Sequence, residues 1–342
     1  MKNKQIARNY FLVKIFAIPY LSFLKPMLKR FLFALLLLAT AGICSSWGFF
    51  AHAKINRLAV FTLPPAMIKF YKNNISYLES HAVDPDKRRY TDTAEAARHY
   101  LDADHYGLAP FDSIPPKWKD AVAKYSEDTL KAYGIVPWQI QKTYRYLVKA
   151  LEERDSSKIL KLSADLGHYV SDAHVPLHTT QNYNGQLTHQ EGIHAFWESR
   201  LPELFSKRYD FFVGKAKYIE NPLNEAWKIL KNTNSYKDSV LLIEARLSAK
   251  FPSDRKYTFF ERNGKVIKDY SEKYSSAYHK ALNGMIERQM QASILATGSF
   301  WYSAWVDAGQ PELKRFAHRP ASSLEQSFAA PIKSSITPRA ED

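Results

Sequence analysis

Histidine and acidic residues recur in this sequence at spacings that suit metal coordination. Five of the eleven histidines lie within residues 168–194. His168 and Asp172 are four residues apart, and so are His194 and Glu198. On an α-helix the two members of each pair lie on one face, one turn apart, so both can reach the same ion. Zinc accepts imidazole and carboxylate ligands in such mixtures, so the spacing predicts a metal site.

A further histidine, His178, lies just beyond Pro176. Proline ends the preceding helix, which frees His178 to turn toward a neighbouring site. His174 lies about 200° around the helix from Asp172, so we expect it at the surface or behind the ligands. A single histidine on a helix is usually an ordinary hydrogen-bonded residue, but two His/acid pairs with a histidine between them favour metal binding. The spacing alone gives neither the number of ions nor the substrate.

The segments that must position these residues are predicted to be helical. Apolar residues recur with the 3.6-residue period of an α-helix over about 64–80, 117–132, 137–153, 156–173, 194–205, 221–249 and 271–307. Residues 256–269, which include Asn263-Gly264, suggest one small hairpin. We therefore predict an all-α fold, with a single domain over residues 47–318 and a loose tail at 319–342.

The composition is that of an ordinary globular protein. Apolar residues make up 46% and charged residues 24%, with 12 Gly and 17 Pro, which excludes a disordered, collagen-like or low-complexity chain. The formal net charge is +14, but residues 1–46 contribute seven basic residues and no acidic one. The remainder has 41 basic and 34 acidic residues, so its charge does not indicate a dedicated nucleic-acid-binding module.

Residues 1–46 are predicted to be a signal peptide. The basic pair Lys29-Arg30 precedes an apolar run over 31–40, and small residues follow, as in secretory signals. The run is too short to span a bilayer comfortably. We therefore expect export to the periplasm or the medium, with a mature chain that begins at Trp47.

Three alternatives for this segment stay open. Met27 stands before the basic pair, so the first alternative is that translation begins at Met27 and that residues 1–26 are not part of the protein. The second is an uncleaved anchor. Cys44 raises the third, a lipoprotein, although Ile43 stands where lipoprotein processing needs a small side chain. Cleavage after Ser46 would instead leave a chain without cysteine, which its core or bound metals must stabilise.

Several motifs follow one another in an informative order. They are Trp47-Gly-Phe-Phe-Ala-His52, the acid in HAVDPDKRR, His99-Tyr-Leu-Asp102, the H-x3-D-x5-H block at 168–178 and H-x3-E at 194–198. In type, order and separation they resemble the zinc-dependent phospholipase C and S1/P1 nuclease superfamily. The resemblance is close over roughly residues 47–205 and extends, as an all-helical domain, to about residue 310.

The resemblance implies a cluster of three zinc ions. The ligands of the first ion would be Asp84, His99, His168 and Asp172. Those of the second would be His178, His194 and Glu198, with water. Those of the third would be the α-amino group and carbonyl oxygen of Trp47, with His52 and Asp172. Asp172 would thus bridge two ions, and Asp86 remains the alternative to Asp84. A tryptophan amine can bind zinc only at a chain terminus, which agrees with cleavage before Trp47.

Clustered divalent cations would polarise a phosphoryl group, lower the pKa of bound water and stabilise the leaving oxygen. This chemistry suits in-line hydrolysis of a phosphodiester by a metal-bound hydroxide, with Asp172 as the catalytic residue that orients it. No Gly-rich phosphate loop, serine nucleophile elbow or dinucleotide fingerprint competes with this interpretation. A non-enzymatic protein with structural zinc is the minor alternative, but its ligand shells would be closed by side chains.

The expected substrate depends on which branch of the superfamily the chain resembles more. Glu198, where the nuclease branch usually has Asp, and a mature chain without cysteine favour a phospholipase C-like enzyme. Tyr100 and Asp102 favour a nuclease, because the matching nuclease residues stack a base and hydrogen-bond its edge. Simple core packing is the alternative for Tyr100. Phospholipid is therefore the preferred substrate, and single-stranded nucleic acid is the alternative.

The sequence says less about other partners. Lipid would reach the site beside Phe49, Phe50 or Trp197 in a transient membrane contact, although no strong amphipathic membrane stripe is evident. Phe49 and Phe50 lie where the phospholipase has an acidic residue for choline, so choline specificity is not implied. Nothing in the sequence indicates an obligate protein partner.

Overall fold

Helices make up most of the described part of the chain. The computed structural model describes residues 49–262 and 264–313, and these contain one two-stranded sheet beside the helices. The predicted all-α fold class is thus confirmed. The predictions for 1–46 and 319–342 lie outside the described residues. Within the described residues, no helix is long and apolar enough to cross a bilayer.

The N-terminal half of the described chain leads up to one long buried helix. Its helices are α1 (Phe49–Ala59), α2 (Pro65–Asn73), α3 (Ile75–His81), α4 (Asp84–Arg88), α5 (Pro110–Ser113), α6 (Trp118–Tyr125), α7 (Glu127–Ala132), α8 (Val136–Glu152) and α9 (Ser156–Asp172). Single 3₁₀ turns lie at Val60–Thr62, Ala96–Arg98, Ala103–Tyr106 and Pro176–Thr179. Proline in the first turn begins α2, α5 and α8, where its missing N–H would be unpaired anyway.

The C-terminal half adds a second group of helices and the hairpin. They are α10 (Ile193–Ala195), which continues through a π turn (Phe196–Arg200) into α11 (Leu201–Phe205), then α12 (Pro222–Asn234), α13 (Lys237–Ser248), α14 (Ser253–Lys256), α15 (Glu272–Ala281) and α16 (Met285–Asp307). A 3₁₀ turn lies at Ser206–Arg208. The predicted hairpin is confirmed as β1 (Tyr257–Arg262) and β2 (Lys265–Tyr270), which pair antiparallel.

The predicted helical stretches are helical, but several are interrupted. Asn74 separates α2 from α3, and Ser126, with a φ of 70°, separates α6 from α7. The Ser126 hydroxyl then accepts a hydrogen bond from the Thr129 N–H and caps α7. Asn283 and Gly284, with φ values of 47° and 73°, separate α15 from α16. Periodicity does not reveal such breaks because the apolar face continues across them.

Helix α9 lies at the centre of the fold. It packs against α1, α3, α8 and α16, and every residue over 163–172 is buried. The Asp155 side chain caps its first turn by accepting a hydrogen bond from the Lys158 N–H, 3.1 Å away. A helix end buried on all sides leaves no solvated face, so His168 and Asp172 must find their partners inside the protein.

The close approach of α1 to α9 depends on Gly167. A β-carbon at Gly167 would lie 1.9 Å from Oδ1 of Asn56. The Asn56 amide is itself fixed, because it donates to the carbonyls of Ala164 at 3.1 Å and Leu78 at 3.4 Å. Asn56 therefore ties α1 to both α3 and α9, and it lies one helical turn after His52.

Gly167→Ala is expected to destabilise the protein. Alanine favours a helix by about 1 kcal/mol over glycine, but the Asn56 amide cannot move away without losing its hydrogen bonds, and overpacking costs about 1–3 kcal/mol. We expect a thermal melt to show a Tm several degrees lower, whereas Lys161→Ala, at a partly exposed position of the same helix, should leave the Tm nearly unchanged. Equal Tm values for the two variants would contradict the tight contact.

Candidate metal centre

Eight imidazole and carboxylate side chains converge near the C-terminal end of α9. They come from α1, α4, α9 itself, the 3₁₀ turn at Pro176–Thr179, the helix that runs from α10 to α11, and the residue directly after the 3₁₀ turn at Ala96–Arg98. Their members are His52, Asp86, His99, His168, Asp172, His178, His194 and Glu198. All except Asp86 are buried. Such burial is costly for ionised groups unless opposite charges or metal ions compensate it.

The first ligand set comprises Asp86, His99, His168 and Asp172. Oδ2 of Asp172 lies 2.9 Å from His99 Nδ1 and 3.2 Å from His168 Nε2. These two ring nitrogens are 3.0 Å apart, and Oδ1 of Asp86 lies 3.6 Å from each of them. The ligand atoms of His99, His168 and Asp172 lie within 4.8 Å of one another, and Asp86 groups in the same way with His168 and His52. Imidazole and carboxylate atoms this close together suit one tetrahedral cation.

The second ligand set comprises His178, His194 and Glu198. Oε2 of Glu198 lies 2.8 Å from His194 Nε2 and 3.3 Å from His178 Nε2. The two ring nitrogens are 2.9 Å apart. Glu198 lies within the π turn, one helical turn after His194, so the two side chains lie close together. Three protein ligands leave a fourth position open, as catalytic zinc sites do.

His52 lies between these two sets. Its Nε2 atom is 3.0 Å from Oε1 of Glu198 and 3.5 Å from Oδ1 of Asp172. These three side chains form the middle set. Asp172 and Glu198 therefore each face His52 with one carboxylate oxygen and an outer set with the other.

Backbone carbonyls fix two of the imidazole rings. The Nδ1–H groups of His168 and His178 donate to the carbonyls of Ala82 and His99, both at 2.8 Å. Their Nε2 atoms, which face the cluster, are then the unprotonated ones. Outer hydrogen bonds of this kind select the tautomer and ring orientation that a metal ligand needs.

The donor set fits metal ions better than it fits hydrogen bonding alone. Nε2 of His178 faces Nε2 of His194, and Nε2 of His168 faces Nδ1 of His99. Without a cation, one nitrogen of each pair must carry a proton to avoid opposed lone pairs. A cation accepts both lone pairs at once, and imidazole with carboxylate is a ligand mixture that zinc prefers.

The charges of the cluster reinforce one another. Burial opposes ionisation of Asp172, but His168 and His178 hold its pKa well below the usual range. Burial likewise opposes ionisation of Glu198, whose pKa is held well below the usual range chiefly by His178. Burial lowers the pKa of His99, yet the hydrogen bond and charge of Asp172 raise it to about 9. His99 thus retains a proton that an entering cation would displace.

The geometry favours Asp86 over Asp84, the reverse of the sequence preference. Asp84 is the first residue of α4, and its carboxylate binds His81 Nδ1 at 2.5 Å and Lys87 Nζ at 3.2 Å. It belongs to none of the groups whose ligand atoms lie within 4.8 Å of one another, whereas Asp86 does. Two residues of a short helix separate the carboxylates by about 200°, so only one can face the cluster.

The structure does not place Tyr100 and Asp102 on a substrate surface. Tyr100 has no exposed surface, and its hydroxyl donates to the Ala132 carbonyl at 3.3 Å. Gly134 packs so closely that a β-carbon there would lie 2.5 Å from the Tyr100 ring. Asp102 is also buried. A base cannot stack on a fully buried ring, so the core-packing alternative describes Tyr100.

The remaining predicted residues are distributed as follows. Trp47 lies outside the described residues. Trp197 is buried, whereas Phe50 is 37% exposed and Phe49 is partly buried. His174 is buried behind the ligands, where burial lowers its pKa to about 4 and its Nδ1–H donates to the Val170 carbonyl. It belongs to none of the ligand sets.

Glu95 is a functional candidate that the sequence reasoning missed. It is fully buried, and its Oε1 atom lies 3.6 Å from His99 Nε2, on the side of the ring away from the cluster. The Tyr169 hydroxyl donates to it, and Arg88 and Arg98 pair with it. A carboxylate behind a ligating imidazole orients the ring and increases its basicity. Glu95 and His99 are four residues apart, so the spacing signal used elsewhere could have found this pair.

Comparison with known proteins agrees with this site. A family model described as zinc-dependent phospholipase C matches residues 51–261, a span that contains every member of the three ligand sets. No curated protein is found to match the chain. Since the family match covers more than half of the sequence and includes the whole cluster, the chain belongs to the zinc-dependent phospholipase C family.

Proposed function

We propose that this chain is an exported phospholipase C that hydrolyses phospholipids at a centre of three zinc ions. Family membership implies a phosphodiester hydrolase. The observation that supports three ions is the division of the carboxylate oxygens. Asp172 faces the first set with Oδ2 and His52 with Oδ1, while Glu198 faces His52 with Oε1 and the second set with Oε2. Two such carboxylates connect three adjacent cation positions.

The ligand sets provide the proposed ligands of each ion. One ion would lie among Asp86, His99, His168 and Asp172, a second among His178, His194 and Glu198, and a third beside His52, Asp172 and Glu198. When bound, the ions would polarise the phosphoryl group, acidify water and stabilise the leaving oxygen. This assignment replaces Asp84 with Asp86 and adds Glu198 to the ligands of the His52 ion.

The side chains contribute orientation and water exclusion. Asp172 is held ionised by its imidazole neighbours, so it can accept a hydrogen bond from the attacking water and orient it toward phosphorus. The carbonyl-bound rings of His168 and His178 keep that geometry rigid. Asp86, whose side chain is 21% exposed, is the most exposed member of the cluster, ahead of Glu198 at 11%, so we place the entry of water and substrate beside it.

The middle set gives a reason for export and processing. Its three side chains are His52, Asp172 and Glu198, and each of them also belongs to another group of potential ligands, so the middle set has no ligand to itself. A free α-amino group at Trp47, five residues before His52, would complete it. Cleavage after Ser46 during export would generate that group, which an uncleaved or longer chain lacks.

Phospholipid is the substrate that we propose. The family match supports it, and so does the burial of Tyr100, because it removes the stacking surface on which the nuclease alternative relied. A single-strand nuclease remains the competing hypothesis for the same metal centre. It would need a base-binding surface other than the Tyr100 ring.

Zinc content is the first expected outcome. Elemental analysis of the exported protein should give about three zinc per chain, and chelation should lower the Tm, since each site occupied at about 100 times its Kd adds roughly 2.7 kcal/mol to stability. His178→Ala should lose about one ion. The control His105→Ala, at an exposed position outside the cluster, should keep all three. Full folding without metal would contradict the cluster.

The pair Asp86→Asn and Asp84→Asn tests the ligand assignment. Both changes remove a carboxylate charge with little change in volume, but only Asp86 faces His99 and His168. We expect Asp86→Asn to release zinc and reduce activity by at least tenfold, with Asp84→Asn close to wild type. Asp172→Asn should have the largest effect, because both of its oxygens are used. Zinc loss from Asp84→Asn alone would restore the sequence preference.

The substrate is tested by parallel assays of the zinc-loaded enzyme. Phosphatidylcholine, single-stranded DNA, RNA and a small aryl phosphodiester would be compared, with Asp172→Asn as the inactive control for each. We expect diacylglycerol release from the phospholipid and turnover of the aryl compound. Cleavage of DNA without diacylglycerol would establish the nuclease instead. Inactivity on all four by a protein that holds zinc would favour a structural role.

A further inference from the structure

A second cavity, separate from the metal centre, lies between α6, α7 and α8. Its volume is about 450 Å³, and no member of the ligand sets lines it. Four of the residues around it are cationic, namely Arg98, Lys131, Lys142 and Arg145. Two tryptophans, Trp118 and Trp138, supply an apolar wall. This mixture of charges and aromatic rings differs from an ordinary solvated groove.

The positive charge of this cavity is only partly compensated. Arg98 pairs with Glu95 and Asp92, and Lys131 pairs with Glu127 at 2.6 Å. Among the described residues, neither Lys142 nor Arg145 forms a direct ion pair with a carboxylate, although the Glu95 charge acts on Lys142. Burial and the charges of Arg98 and Lys131 lower the pKa of Lys142, and the charge of Glu95 opposes this shift only in part.

The cavity is built on rigid elements. Trp138, Lys142 and Arg145 are spaced four and three residues apart on α8, so they share one face of that helix. The indole N–H of Trp138 donates to the Pro116 carbonyl at 2.7 Å, and its ring meets that of Trp118 edge to face at 5.2 Å. The apolar wall is therefore fixed in place before any ligand arrives, which lowers the entropy lost on binding.

We propose that this cavity binds an amphiphilic phosphate monoester. A monoester carries nearly two negative charges at neutral pH, which matches the two unpaired cations Lys142 and Arg145. An alkyl or acyl portion would lie against Trp118 and Trp138, where it is removed from water. A soluble phosphate ester and the head group of phosphatidic acid share this chemistry. The proposal does not depend on the metal centre.

The test uses n-octyl phosphate, below its micelle concentration, in isothermal titration calorimetry with the zinc-loaded protein. The double variant Lys142→Gln/Arg145→Gln is expected to weaken at least one binding event tenfold or more. Lys69→Gln/Lys149→Gln makes the same change in net charge at exposed positions outside the cavity, so it should bind like wild type. Both variants should retain the wild-type Tm and zinc content, which separates this result from misfolding.

Two comparison ligands separate the charged and apolar contributions. Inorganic phosphate should bind at least tenfold more weakly than octyl phosphate, and octyl glucoside, which has the same tail without charge, should not bind. Equal affinity of octyl phosphate for wild type and Lys142→Gln/Arg145→Gln would overturn the proposal, since binding would then be confined to the metal centre. Equal affinity for octyl phosphate and inorganic phosphate would overturn its apolar part.

Vesicles identify the source of the ligand. Flotation with phosphatidylcholine vesicles that contain phosphatidic acid should capture wild type more strongly than Lys142→Gln/Arg145→Gln if a lipid head group enters the cavity. Equal capture of the two proteins, together with cavity-dependent binding of octyl phosphate in solution, would instead assign the cavity to a soluble ester.

Discussion

The burial of two carboxylates among imidazole rings is the constraint on which the rest of this structure depends. Asp172 and Glu198 are both buried, and an uncompensated buried ion would cost several kcal/mol. Histidines compensate these negative charges only if their ring nitrogens carry protons or bind cations. The cluster is therefore both the most demanding part of the fold and the part best suited to bind metal.

The helical scaffold serves this constraint directly. Helix α9 is buried because it must bring His168 and Asp172 to the centre, and Gly167 beside them lets α1 approach with His52. A second layer continues outward through Glu95, whose charge is balanced by Arg88 and Arg98. Burial opposes ionisation of Glu95, but contact with His99 and these arginines holds its pKa well below the usual range. Charge compensation thus extends from the cluster to the edge of the core.

Much of this could be predicted from sequence because the relevant patterns are local. Four-residue spacing places His168 with Asp172 and His194 with Glu198 in any helix, and apolar periodicity locates the long helices. The Asp84 and Asp86 alternatives could not be separated this way, since their directions depend on how α4 docks against α9. The burial of Tyr100 depends on contact with Gly134, 34 positions away in the sequence, which no local pattern contains.

The π turn over residues 196–200 shows how local geometry serves the cluster. The Leu201 N–H bonds the Phe196 carbonyl, five residues back, so this turn is wider than an α-helical one. Such turns are rare, and they frequently lie at functional sites. Here the turn contains Glu198, which must face His52 with one oxygen and His194 with the other. A regular α-helix would already bring His194 and Glu198 together. We therefore attribute the wider turn to the additional contact between Glu198 and His52.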